Sequence, residues 1–230
     1  MNDTTVVVTG ASSGIGAAVA RAFGTAGATV VVCARDDEAL QTVVDDIETA
    51  GGNVSGIRAD VRDEFDMERL MEMAARAGGE IDVLVANAGI SHGTPGAMPI
   101  AEETYAAFDD TLRTNARGVF TAIKEAHPHM ATDARILVPS GSVARDATAG
   151  MGAYAVSKSA AEALVRQFAV DCDQTVCVID PGLVATDLTE GQGRDPDEVS
   201  DLFVWAATDA DPTTLDGDVV GLSAWKKATR

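Results

Sequence analysis

Two rhythms of apolar residues alternate along this chain. One is a series of short, unbroken runs rich in β-branched residues: Thr5–Thr9 (TVVVT), Ala28–Ala34 (ATVVVCA), Asn53–Ala59, Ile81–Ala86 (IDVLVA), Ala134–Val138 (ARILV), Thr175–Ile179 (TVCVI) and the short Val219–Leu222. Such runs predict strands buried on both faces. The other rhythm is helical. Asp36–Ala50 places Leu40, Val43, Val44 and Ile47 on one face and is stopped by Gly51-Gly52. Asp63–Ala77 is stopped likewise by Gly78-Gly79. The stretch after Gly16, then Glu103–Glu125, Tyr154–Val170 and Asp197–Ala207, read as further helices. Ile90–Ile100 and the polar Glu190–Asp197 read as loops, the second of them mobile. Strand and helix in alternation imply a parallel sheet with helices on both faces. With no repeat or linker, the expectation is one domain over residues 1–230, a Rossmann-like, doubly wound α/β fold of about seven strands.

Composition narrows the function. A formal charge of −19 opposes nucleic-acid binding, which needs a basic surface. Lysine is scarce (Lys124, Lys158, Lys226, Lys227) and aspartate far outnumbers glutamate. Such a surface repels itself at low salt, which predicts a salty cytoplasm as the working medium; activity that peaks in dilute buffer would contradict this. No apolar run approaches the ~20 residues that span a bilayer, and MNDTT carries no signal stretch. The expectation is a cytoplasmic protein without a membrane partner. Cys33, Cys172 and Cys177 form no C-x-x-C and read as reduced core residues. His127-Pro-His129 has no clustered ligands nearby, so no metal is expected.

The glycine pattern carries chemistry. Thr5–Thr9 runs into Gly10-Ala11-Ser12-Ser13-Gly14-Ile15-Gly16 and then a helix. Strand, glycine-rich turn and helix together bring backbone N–H groups and a helix N-terminus to a phosphate. Arg35 ends the second strand, where a dinucleotide fold meets the adenosine ribose. An arginine there suits a 2′-phosphate, which favours NADP(H) over NAD(H). The adjoining Asp36 and Asp37 could hold that arginine instead. Asp60 and Asn87–Gly89 also follow strands, at the edge where such sheets bind ligands. Asn115 lies inside a helix, a position that often marks a distortion or a functional contact. Tyr154 and Lys158 are one helical turn apart. An ammonium close to a tyrosine lowers its pKa and makes it usable for proton transfer to and from oxygen.

Taken in order, these segments resemble the short-chain dehydrogenase/reductase family from about Thr5 to Thr186. Thr9–Gly16 resembles its cofactor loop and Asp60-Val61 its adenine-contact pair. Asn87-Ala88-Gly89 is similar to its N-N-A-G motif, with Ala86 in place of the first asparagine. Asn115, Ser142, Tyr154 and Lys158 resemble its catalytic tetrad. Pro181-Gly182 with Thr186, a stretch that includes Val184, resembles its nicotinamide-side P-G-x-x-x-T. Ser140 also leaves the fifth strand, but Ser142 lies at the better separation from Tyr154.

The resemblance implies hydride transfer between NAD(P) and a secondary alcohol or carbonyl. Tyr154 would be the acid/base and Ser142 a hydrogen-bond donor to the substrate oxygen. Lys158 would lower the tyrosine pKa and bind the ribose, and Asn115 would hold a water that links Lys158 to solvent. The family's habit implies a homodimer or homotetramer paired through the helices bearing Asn115 and Tyr154. Three departures stand out. The stretch VDCDQTV after the tyrosine helix is short, so that helix should end early. The substrate lid, about 187–200, is also short, and the glycine-glycine ending is missing. Ser91–Met98, Val143–Met151 and Leu183–Gly193 should line a site for a modest, neutral ketone or alcohol, with Arg145 and Asp146 as polar exceptions. A different class remains in view: a dinucleotide-sensing regulatory or scaffold protein without turnover.

Overall fold

The computed structural model describes residues 1–230. Its strands are β1 (Thr5–Thr9), β2 (Thr29–Ala34), β3 (Asn53–Arg58), β4 (Ile81–Val85), β5 (Met130–Pro139), β6 (Thr175–Asp180) and β7 (Val219–Gly221). They form one sheet in the order β3-β2-β1-β4-β5-β6-β7, and every pairing is parallel. The order reverses direction between β1 and β4, which opens a crevice at their carboxyl ends. Side chains alternate across a strand. Val6 and Val8 therefore enter one core with Val30, Val32 and Phe23, while Val7 enters the other with Val31, Leu84 and Ile136. Two buried faces explain why the strands read as unbroken apolar runs rather than alternating ones.

The helices are α1 (Gly14–Thr25), α2 (Asp37–Thr49), α3 (Glu64–Gly78), α4 (Tyr105–Leu112), α5 (Gly118–Ala126), α6 (Gly152–Asp171), α7 (Asp197–Thr208), α8 (Pro212–Leu215) and α9 (Leu222–Ala228). Several bounds differ from the sequence expectation. β5 begins earlier, because Met130 pairs with Ile81 ahead of an irregularity in the register. α6 does not end early. It continues to Asp171, and the shortening falls on the connection Cys172–Gln174. The long helix expected over Glu103–Glu125 is broken by a π-turn at Arg113–Arg117, where the Gly118 N–H reaches back to Arg113 O. Nor does the stretch after Glu190 hang free: Arg194 N donates to Leu183 O at 2.9 Å, and Ala185 N to Arg194 O at 2.7 Å.

The turn between β1 and α1 shows why two glycines are needed. Gly10 has φ of 66°, and a Cβ there would lie 2.7 Å from Ala88 Cα. Gly16 packs closer still: its Cβ would lie 2.2 Å from Gly10 O and 2.5 Å from Asn87 Nδ2. No side chain fits, so α1 can lie directly against the turn. Asn87 then fastens the turn to β4, its Nδ2 donating to Thr9 O and Gly10 O, both at 3.0 Å. Thr9 Oγ1 accepts from Asn87 N at 3.1 Å and Ala88 N at 3.2 Å.

Candidate active site

A cavity of about 660 Å³ opens along the carboxyl ends of the strands. Every residue assigned above to catalysis or cofactor binding lines it except Thr9 and Ala11 of the glycine turn, Gly16 and Asn115. Gly16 acts through the close packing just described. Asn115 sits behind the wall, buried in the π-turn. Its Oδ1 accepts from Ile90 N at 2.8 Å, and its Nδ2 donates to Ile90 O at 2.8 Å and Ser157 Oγ at 3.0 Å. The asparagine thus clamps the start of the 90–100 loop to α6.

One end of the cavity belongs to α1. Ser13 caps this helix in an extended conformation, but its side chain makes no capping bond and the first turn holds no acid. Helices α2 and α3, by contrast, are capped by Asp36 and Asp63. The first N–H groups of α1 therefore keep their partial positive charge for the cavity.

Arg35 is exposed beside this end, and no carboxylate pairs with it. Asp36 is spent as a cap, accepting from Ala39 N at 3.1 Å. Arg58 Nε donates to Arg35 O at 3.1 Å, which brings a second cation to the same edge. Asp60 is held differently. Burial opposes its charge, but hydrogen bonds from the Arg62 side chain and backbone, with Arg35 nearby, hold the carboxyl below its ordinary range. Arg62 also pairs with Asp110 at 2.6 Å, and Asp110 meets His92 Nε2 at 3.0 Å. This chain of charges runs from the adenine side to the 90–100 loop.

At the other end Ser142, Tyr154 and Lys158 face the cavity. Ser142 is exposed, and its hydroxyl has no partner within the chain. Ser140 is different: its Oγ donates to the buried Glu162 Oε1 at 2.7 Å. Lys158 Nζ donates to Pro139 O at 2.9 Å and lies 5.8 Å from the centre of the Tyr154 ring. Both side chains keep a partial opening to the cavity, yet close walls dominate their protonation. Burial pushes the Tyr154 hydroxyl above its ordinary value, contrary to the lowering expected from the lysine alone. Burial also pulls the Lys158 ammonium down to about 8, a fall that the Glu162 carboxylate partly opposes.

Over this end lie the 90–100 loop and the 183–194 segment. Thr94 Oγ1 donates to Glu190 Oε1 at 2.9 Å, joining the two across the mouth. Arg145 and Asp146 were expected to supply polarity here, but neither lines the cavity. The Arg145 guanidinium turns inward to Glu162 and Asp180. The polar lining of this end comes instead from Ser91, Thr94, Asp187, Glu190 and Gln192. Sequence reasoning also missed Thr114, whose Oγ1 is buried without a partner although the residue lines the cavity. Its only signal was its place beside Asn115. Cys33 and Cys177 are core residues, their thiols pushed up to about 12 by burial, whereas Cys172, expected in the core as well, is only partly buried just past the end of α6.

The family model described as short chain dehydrogenase matches residues 4–197. The chain belongs to this family. Versicolorin reductase stcU of Emericella nidulans is 38% identical over 190 residues, which covers 79% of this chain and 69% of that protein. A short chain dehydrogenase from Burkholderia cenocepacia, solved in complex with NADP, superposes with a TM-score of 0.86 at 29% identity, covering 97% of each chain. A 7α-hydroxysteroid dehydrogenase solved with NADH and 7-oxo glycochenodeoxycholic acid gives a TM-score of 0.85 at 27% identity, over 97% of this chain and 94% of that one. As a short-chain dehydrogenase the protein is an NAD(P)-dependent oxidoreductase that acts on small molecules. The cavity suits such a cofactor: the unneutralised α1 N-terminus faces it, and the glycine turn that precedes that helix lines it.

The lysine has a consequence for stability. Below about pH 8 Lys158 is protonated in both the folded and unfolded chain, and the folded state bears the full cost of burying the charge. Between about 8 and the ordinary 10.5 the unfolded chain binds more protons, so this group's contribution to stability rises with pH. Lys158→Met should flatten that rise in denaturant midpoints taken across this window. An unchanged slope would mean the charge is not buried.

Proposed function

We propose that this short-chain dehydrogenase reduces a neutral ketone or aldehyde to the alcohol, with NADPH preferred over NADH. The observation that carries the reading is the convergence of an uncommitted Ser142 hydroxyl, a protonated Tyr154 and a buried Lys158 on one cavity whose other end is the N-terminus of α1. When bound, the nicotinamide would supply the hydride for the carbonyl carbon. Negative charge then grows on the carbonyl oxygen. Ser142 donates a hydrogen bond to it, and Tyr154 donates a hydrogen bond and then its proton. The raised tyrosine pKa keeps that proton available at neutral pH. The phenolate left behind is stabilised by the Lys158 ammonium, still charged below about 8. Asn115 works from behind. Both of its amide protons are committed, so a water on the path back to Tyr154 would rest on the main chain of the π-turn.

Ser142 is favoured over Ser140 because the Ser140 hydroxyl is buried against Glu162. Arg35, free of any carboxylate and backed by Arg58, supports the 2′-phosphate reading. Asp60, Val61, Asn87–Gly89, Pro181, Gly182, Val184 and Thr186, which line the cavity between its two ends, would hold the remaining length of the dinucleotide. The substrate end offers two exposed acids, Asp187 and Glu190, and no cation besides the catalytic Lys158, which disfavours carboxylate or phosphate substrates. The relative named a reductase supports the reducing direction. The chain forms one catalytic domain, with 187–200 as its short lid. An apolar groove formed by Ala116, Phe120, Ala160, Ala163 and Leu164 on the Asn115 and Tyr154 helices fits pairing of two copies, which sedimentation velocity at high and low salt would read. The alternative of a silent dinucleotide sensor is disfavoured by the free Ser142 and the intact Tyr154–Lys158 pair.

Tyr154→Phe is expected to lower kcat for carbonyl-dependent NADPH oxidation by about 10²–10⁴-fold, with dinucleotide binding retained. Near-wild-type turnover would sink the assignment. For the cofactor, kcat/KM with NADPH should exceed that with NADH by about 10-fold or more, and Arg35→Ala should erase the difference. Equal or better NADH use by the wild type refutes the phosphate role.

A further inference from the structure

Behind the proposed catalytic floor lies a cluster of charges that the hydride-transfer scheme does not use. Glu162 stands on α6 one turn beyond Lys158, and its side chain is only 3% exposed. Its Oε1 accepts from Ser140 Oγ at 2.7 Å and from Arg145 Nη1 at 2.5 Å. The other arm of Arg145 reaches Asp180 Oδ2. Asp180 ends β6, and its Oδ1 accepts from Gly182 N at 3.0 Å. Arg145 itself closes the turn that presents Ser142: its N–H donates to Ser142 O at 2.9 Å, beside the Asp146 N–H at 2.7 Å. One chain of polar contacts therefore ties three separate segments: the Ser142 turn, the helix of Tyr154 and Lys158, and the Pro181-Gly182 loop.

A buried carboxylate is a poor device for stability alone, because desolvation offsets much of what the pairing gains. It is a good device for geometry, since an ion pair of this kind has one satisfactory arrangement. We propose that Glu162 and Arg145 are positioning residues for hydride transfer: Arg145 holds the Ser142 turn in register with Tyr154, and Glu162 holds both Arg145 and the ammonium state of Lys158. This rests on the reading of the site given above. The ionisable groups around Lys158 are Tyr154 and Glu162 on its own helix and Arg145 and Asp180 in the cluster behind. Among them Glu162 is the neighbour whose charge works against the deprotonation that burial promotes.

The four lysines of the chain make a direct test possible. With ¹³C-labelled lysine the Cε resonances give four titration curves, and Lys158→Arg identifies its signal by loss. Glu162→Gln keeps the shape and the acceptor oxygen but removes the charge. It should move the Lys158 midpoint down by about one pH unit, leave the other three in place, and draw the basic limb of the kcat profile for carbonyl reduction down with it. Glu162→Asp, which retracts the charge but keeps it, should hold the midpoint closer to wild type. Glu162→Gln combined with Arg145→Met strands no buried charge on α6. It should lower kcat by about 10- to 100-fold while KM for the dinucleotide stays within about twofold. An unmoved Lys158 midpoint, a double variant with wild-type kcat, or losses that only track the folded fraction by circular dichroism would each overturn the proposal. A wild-type protein that oxidises NADPH with no carbonyl would sink the functional reading instead, and the lysine titration would still decide the role of Glu162.

Discussion

Parallel pairing makes every strand of this sheet end on the same edge. The constraint is purely geometric, and the rest of the molecule depends on it. Residues more than a hundred positions apart, such as Gly10 and Pro181, come to line one cavity because each follows a strand. The switch in strand order between β1 and β4 then leaves a gap into which no helix packs. Cores on both faces hold the sheet rigid. The edge can therefore carry loops with little stability of their own, including a glycine turn packed so closely that no side chain fits beneath it.

The edge is also where desolvation and pairing compete most visibly. For Asp60 the contacts win, because Arg62 meets the carboxylate with several hydrogen bonds. For Lys158 burial wins, because its one hydrogen bond goes to a neutral carbonyl and the nearest counter-charge is a turn away. For Tyr154 burial acts alone. These outcomes suit different tasks: a fixed structural anion on the adenosine side and a more adjustable pair of protons on the other. A single degree of burial would not separate them; the number and charge of the partners does.

Much of this was legible in the chain. The valine runs, the Gly51-Gly52 and Gly78-Gly79 stops, and the glycine turn are local signals, and the structure places them within a few residues of the expectation. Even the oddity of Asn115 inside a helix pointed to a real break, the π-turn. What was not legible depends on which way a side chain faces, and that is settled by elements distant in sequence. Glu162 lies in SAAEAL and reads as a helix-surface acid; only the approach of β5 and the Ser142 turn buries it. Arg145 read as a cavity residue because it follows Ser142, yet two acids draw it inward. Asp36 could have held Arg35, but a helix N-terminus competes for the same carboxylate and takes it.

The hydrogen bond between Thr94 and Glu190 spans the mouth of the cavity, and both partners are exposed. A contact of this kind is worth about 1 kcal/mol at most, a few-fold in population. Loop motions of this scale run in nanoseconds to microseconds, whereas a typical turnover takes on the order of a tenth of a second. A contact this weak can therefore break and re-form many times within one turnover, so it biases the mouth toward closure without gating it.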